Sequence, residues 1–159
     1  MFKLDAIERE KYVAFLKTVP QSAQKLTAGK VPGWGKMTAQ HMVEHMQVTV
    51  TASTIVSLKT PQPGKLQLEA KNFLIYSPDP MPRNLDNPMF RFGLPVYTNP
   101  TIEVAKEKMA KSLDMFFKTF DNKPNAVSYN PFLGDLTYEE LLVFHYKHFK
   151  HHLEQFELI

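Results

Sequence analysis

The chain contains no cysteine. That excludes disulfides, thiolate metal ligands and a cysteine nucleophile, and leaves the redox compartment open. Long apolar runs are missing as well: none approaches the roughly 18 residues that a spanning helix needs. The opening stretch MFKLDAIEREK turns charged before any signal-peptide core can form. These absences lead to the expectation of a soluble, cytoplasmic protein with no membrane partner. Charge of one sign is scarce too, with 19 Lys and Arg against 16 Asp and Glu for a net +3. The basic residues are scattered among the acids where a nucleic-acid surface needs a basic stripe, so no nucleic-acid partner is expected.

What is present suits one globular domain over residues 1–159, because 43% apolar and 22% charged residues are ordinary values for a folded soluble chain. Helical punctuation dominates. Asp5 and Glu8 open a first helix whose Tyr12, Phe15, Leu16 and Val19 recur at three- and four-residue steps, with an end expected near Pro20. Thr38 caps a second that runs towards Leu58, although its β-branched tail VTVTASTIV reads equally well as a strand. Asn99-Pro100 offers a cap and a first-turn proline for a third, striped by Ile102, Ala105, Met109, Leu113, Phe116 and Phe120. Thr137 and Glu140 form a capping box for the last, which extends to about Phe156.

Eight of the twelve prolines fall between Lys59 and Pro100. That segment cannot be one regular element; it holds a short helix around Leu66, Ala70, Phe73 and Leu74 and then a proline-stiffened loop, SPDPMPRNLDNP. A connection this long is a crossover or a functional loop. The expected fold is therefore all-α, a four-helix bundle with a long crossover between its second and third helices.

The six histidines fall into two groups, His41 and His45 in HMVEH and the other four in FHYKHFKHH. At about 100° per residue, His148 and His152 lie about 40° apart, one turn along the same helix face, beside the apolar stripe. A buried polar group without a partner costs about 1–3 kcal/mol. Shared coordination of one ion satisfies several imidazoles together, and His45 or His41 supplies the third ligand. Three neutral imidazoles with an open position suit zinc or nickel first, and iron or manganese also. His145 reads as a rim residue and His151 as solvent-facing. HMVEH also matches the inverzincin metallopeptidase pattern H-x-x-E-H, in which His41 and His45 bind zinc and Glu44 is the base. Otherwise no general base stands out, and Glu44 reads as an ordinary surface acid.

WGKMTAQHMVEHM (34–46) and NPFLGDLTYEELLVFHYKHFKHHLEQF (130–156) together resemble the DinB/YfiT-like superfamily of metal-dependent enzymes. The resemblance implies a four-helix bundle with a long connection between helices 2 and 3. It places a metal triad on His45, His148 and His152, with His41 outside it. Gln155 takes the position of a glutamine that could orient a ligand, and Trp34 packs at the entrance to the second long helix. It further implies a homodimer and chemistry on a small-molecule substrate, either hydrolysis or transfer that uses a small thiol cosubstrate. The reading of another class is a non-catalytic binding or assembly module in which the ion is structural and the proline-rich loop is a docking surface.

Overall fold

A computed structural model of the chain describes residues 1–83, 85 and 90–159. Four long helices, α1 (Ala6–Gln24), α2 (Ala39–Ala52), α4 (Ile102–Asn122) and α5 (Tyr138–Gln155), are joined by a short α3 (Lys65–Lys71) that passes directly into a single π-helical turn, Asn72–Tyr76. α2 packs along α4 and α1 along α5, with further contacts of α1 with α4 and α2 with α5. Leu16, Val19, Met42, Met46, Met109, Phe116, Leu142 and Phe149 meet at the centre and are almost fully removed from water. No described helix is long and apolar enough to cross a membrane.

The long helices begin at side-chain caps. Asp5 accepts from the Glu8 amide, Thr38 from that of His41, and Thr137 from that of Glu140, each removing one unpaired donor of a first turn. α4 corrects the expected cap: Thr101 accepts from the Val104 amide, and Asn99 and Pro100 precede the helix. α1 runs through Pro20 to Gln24 instead of stopping there, with Val19, Ala23 and, just beyond, Leu26 buried on the core. One backbone hydrogen bond is lost within its final turns, while the apolar face continues. The C-terminal end of α1 is tied down by Lys106 of α4, whose ammonium donates to the Leu26 carbonyl at 2.6 Å.

The all-α expectation is corrected by a small antiparallel sheet of order β1-β2-β3, formed by Val56–Ser57, Val127–Asn130 and Gly134–Leu136. α2 ends at Ala52, so of the ambiguous VTVTASTIV stretch only the final Val56 joins a strand. The β2–β3 hairpin turns on Asn130, whose Oδ1 accepts from the amides of Phe132 and Leu133, and on Gly134 at φ +71°. Strands of two to four residues carry too little alternation to register against helical periodicity. Of the proline-rich crossover, Asn84 and residues 86–89 lie outside the described residues, and with them part of the SPDPMPRNLDNP loop.

The short helix, the hairpin and α5 meet at one buried ion pair. The Lys71 ammonium donates to Glu140 Oε1 at 2.9 Å and to the Asp135 carbonyl at 2.6 Å, and both side chains are within a few per cent of fully buried. The Tyr76 hydroxyl donates to the same carboxylate oxygen, while Oε2 accepts from the Thr137 amide and so completes the capping box. Burial alone raises a carboxyl pKa. Here the donors from Tyr76, Thr137 and Lys71 outweigh it and hold Glu140 below the usual carboxylate range. Lys71→Met, which strands the carboxylate, is expected to cost about 3–5 kcal/mol in urea unfolding, and adding Glu140→Gln to restore much of that loss.

Candidate metal centre

α2 and α5 bring three imidazoles to one point. His45 Nε2 lies 2.8 Å from His148 Nε2, which lies 3.0 Å from His152 Nε2. One ligand atom from each ring falls within 4.8 Å of the others, and among the described residues no other His, Asp or Glu joins the cluster. His148 and His152 are buried, and His45 is half-buried. The pairing follows from helix geometry: His148 and His152 are one turn apart on α5, and α2 crosses that face at His45.

The tautomer of His152 can be deduced. Gln155 Nε2 donates to the Trp34 carbonyl at 2.8 Å, and since a carbonyl only accepts, the amide orientation is settled. Gln155 Oε1 therefore faces His152 Nδ1 at 2.8 Å, and Nδ1 carries the proton. His152 Nε2 is left as a bare lone pair aimed into the cluster, the form a metal ligand takes. Gln155 also receives the Gly33 amide on its backbone carbonyl at 2.7 Å. Gly35 follows at φ +81°, where an added Cβ would stand 2.8 Å from Gln155 Nε2. Only glycine leaves room for this brace.

All three rings are held neutral. Burial pushes His45 down to about 4, with the charge of His151 adding to it, and His152 down to about 3, with His45 adding to it. His148 falls well below the usual imidazole value through burial and then the charges of His152 and His45. Uncharged imidazole is the ligating state. The donor set also fits an ion on two further grounds. Three Nε2 atoms meeting at one point cannot all be matched donor to acceptor, and His148 Nδ1 is buried with no hydrogen-bond partner. A divalent ion held by His45, His148 and His152 would take up the converging lone pairs. Nitrogens sharing a tetrahedral zinc stand about 3.3 Å apart for bonds of about 2.0–2.1 Å, and the two contacting pairs here stand at 2.8 and 3.0 Å.

The remaining sequence candidates go elsewhere. His41 Nε2 donates to the Pro95 carbonyl at 2.7 Å, and its Nδ1 accepts from the Thr38 hydroxyl at 2.8 Å. Glu44 is a buried anchor and not a surface acid. Its carboxylate accepts from the Thr98 amide, both amides of Asn99 and the side chain of Gln40, at 2.9–3.2 Å. Burial would raise its pKa, but these donors hold it low. The inverzincin arrangement is thus not assembled: His41 and Glu44 fasten the end of the crossover to α2 and do not join His45. His145, read as a rim residue, is fully buried, with Nε2 2.9 Å from the Ser53 hydroxyl and burial lowering its pKa to about 3. His151 is half-buried, its ring edge-on to Trp34.

Sequence reasoning missed Phe90, whose ring packs edge-on against His45 with centroids 5.7 Å apart and so partly roofs the cluster. It also missed Tyr97, whose ring packs tilted against His41 with centroids 4.4 Å apart and whose hydroxyl meets that of Thr38 at 2.9 Å. Both lie in irregular chain with no periodicity to mark a face. No family model, curated protein or solved structure matches the chain.

Glu44→Ala should cost about 2–3 kcal/mol, since it strands two backbone amides, and should do so without removing a group from the imidazole cluster. Acid should weaken the metal-free protein. An imidazole buried neutral has a folded pKa below its unfolded value of about 6.5, so the unfolded state binds more protons in between and stability falls as pH drops from about 6.5 towards about 4. The slope is up to about 1.4 kcal/mol per pH unit for each such ring. His145→Gln should reduce that slope, as read from urea midpoints between pH 7 and 5.

Proposed function

We propose that the protein is a metal-dependent enzyme acting on a small molecule, with His45, His148 and His152 binding one divalent ion and an open position left for water or substrate. The observation that carries this reading is the meeting of three uncharged Nε2 atoms from two helices, one locked by Gln155 in the ligating tautomer. A fully closed protein shell would favour a structural ion, whereas three histidines favour chemistry. Zinc or nickel suits the all-nitrogen donor set best, and iron or manganese is compatible. When bound, such an ion supplies Lewis acidity for hydrolysis or for activation of a thiol.

The chain's own residues divide the work. His45, on α2 and least buried of the three, stands at the open side of the cluster. Gln155 keeps the His152 ring from turning, and Phe90 limits water at His45. Among the described residues no carboxylate joins the three imidazoles as a fourth ligand. The likeness of residues 34–46 and 130–156 to the DinB/YfiT-like superfamily supports membership of that group, a four-helix bundle of its type, a homodimer, and hydrolase or thiol-dependent transferase chemistry in the cytoplasm. A second reading, a non-catalytic module stabilised by its ion, draws on the near-complete burial of His148 and His152.

Elemental analysis of tag-free protein should find about one equivalent of divalent metal per chain. His45→Ala, His148→Ala and His152→Ala should each largely abolish it, and His41→Gln should retain it. Gln155→Leu should weaken metal affinity about 10–100-fold, as removal of an outer hydrogen-bond partner generally does. Metal retained in full by His148→Ala would overturn the assignment. A panel of small thiols and thioesters then separates the two readings: turnover that depends on the metal supports the enzyme, and its absence with a stabilising ion supports the module.

A further inference from the structure

A cleft of about 780 Å³ opens on a different face of α5, between that helix, α1, the π-helical turn and the proline-rich loop up to Arg83. None of His45, His148 and His152 lines it; α5 presents Val143, Tyr146, Lys147, Lys150 and His151 there instead. Its volume falls in the range of small-molecule sites, about 300–1,000 Å³.

Two features of the lining define what would fit. The first is aromatic surface. Tyr12 and Tyr146 pack with ring centroids 4.4 Å apart, and elsewhere in the lining the Arg83 guanidinium lies over the Trp34 ring at 3.9 Å. The second is an excess of cations. Lys3, Lys11, Arg83, Lys147 and Lys150 line the cleft against Glu8, Asp79 and Glu154. Lys11 Nζ lies 5.9 and 5.6 Å from the centroids of the two tyrosine rings, so it stands at the mouth of the aromatic pair. Lys147 is pinned in the wall by the carbonyls of Leu74 and Ser77, to which it donates at 3.1 and 2.5 Å. The acids offset part of this: Glu154 lies 3.6 Å from Lys150, both well exposed, and Asp79, which accepts from the Ser77 hydroxyl at 2.7 Å, acts on Lys147, leaving five cations against three acids in the lining.

We propose that this cleft is a binding site for a small, flat organic anion. Its carboxylate or sulfonate is drawn to Lys11 and Lys150, and its ring is seated between the tyrosine pair and the Trp34–Arg83 stack. The site is separate from the imidazole cluster, and the proposal does not rest on the metal reading. Aromatic contact supplies most of the affinity and the lysines supply the preference for an anion.

Trp34 is the only tryptophan and lines this cleft, so a change in its emission reports binding next to it. The test is calorimetric titration of the full chain with 2-naphthoate and with neutral 2-naphthamide, followed in parallel by Trp34 emission. Saturable one-to-one binding of naphthoate is expected, with a change in Trp34 emission and at least about tenfold weaker binding of the amide. Lys11→Gln combined with Lys150→Gln should lower naphthoate affinity by about tenfold and bring the two probes together. His148→Ala should leave naphthoate binding in place. Equal affinities for the two probes, indifference to the lysine substitutions, loss of binding in His148→Ala, or no saturable binding would each overturn the proposal.

Discussion

Everything at the candidate centre depends on the cost of keeping uncharged imidazole inside a helical core. α2 and α5 could have met through apolar side chains alone, of the kind that α2 and α4 bury in Met42, Met46 and Met109. Instead the α2–α5 seam carries nitrogen atoms that water no longer reaches. Each must find a partner or leave its desolvation uncompensated. His152 finds Gln155 and His145 finds Ser53, while the three Nε2 atoms find one another. That mutual contact is poor in donors, which makes it a good place for a cation.

The rest of the molecule holds this arrangement from two sides. On one, Gln155 ties His152 to the 33–35 segment through its amide and its backbone carbonyl, and Gly35 keeps the space clear. On the other, the end of the crossover is fastened to the first turns of α2 by Thr38, His41 and Glu44, which keeps irregular chain close to His45. The Lys71–Glu140–Tyr76 network performs a similar service at the start of α5, where it joins the short helix and the hairpin to the capping box. Buried charge is expensive, and a network with every lone pair engaged is the form in which it persists.

Legibility in the sequence followed the range of the interaction. The caps at Asp5, Thr38 and Thr137 and the stripes of α1, α4 and α5 were readable because a cap and a helical face are set within one or two turns of chain. The same short range explains the errors. Pro20 looked like a stop because the gain from burying Val19 and Ala23 lies in another helix, and Asn99-Pro100 looked like a cap because Asn99 gave no sign of its bonds to Glu44. The sheet was invisible since β1 and β2 are some seventy residues apart, and neither is long enough to show a period.

His148 and His152 were placed on one face by spacing alone, for a helix settles the relative direction of residues four apart. Local chain geometry also gave the capped helix starts and the proline-broken crossover. Whether His41 or His45 joins that pair is a question of how α2 is rotated against α5, and so is whether Glu44 faces a substrate or an amide. Rotation is decided by the packing of whole helix faces and the docking of the crossover. No short window of residues contains that information, so the convergence of the imidazoles, the brace at Gln155 and the aromatic cleft behind α5 exist only in the folded chain.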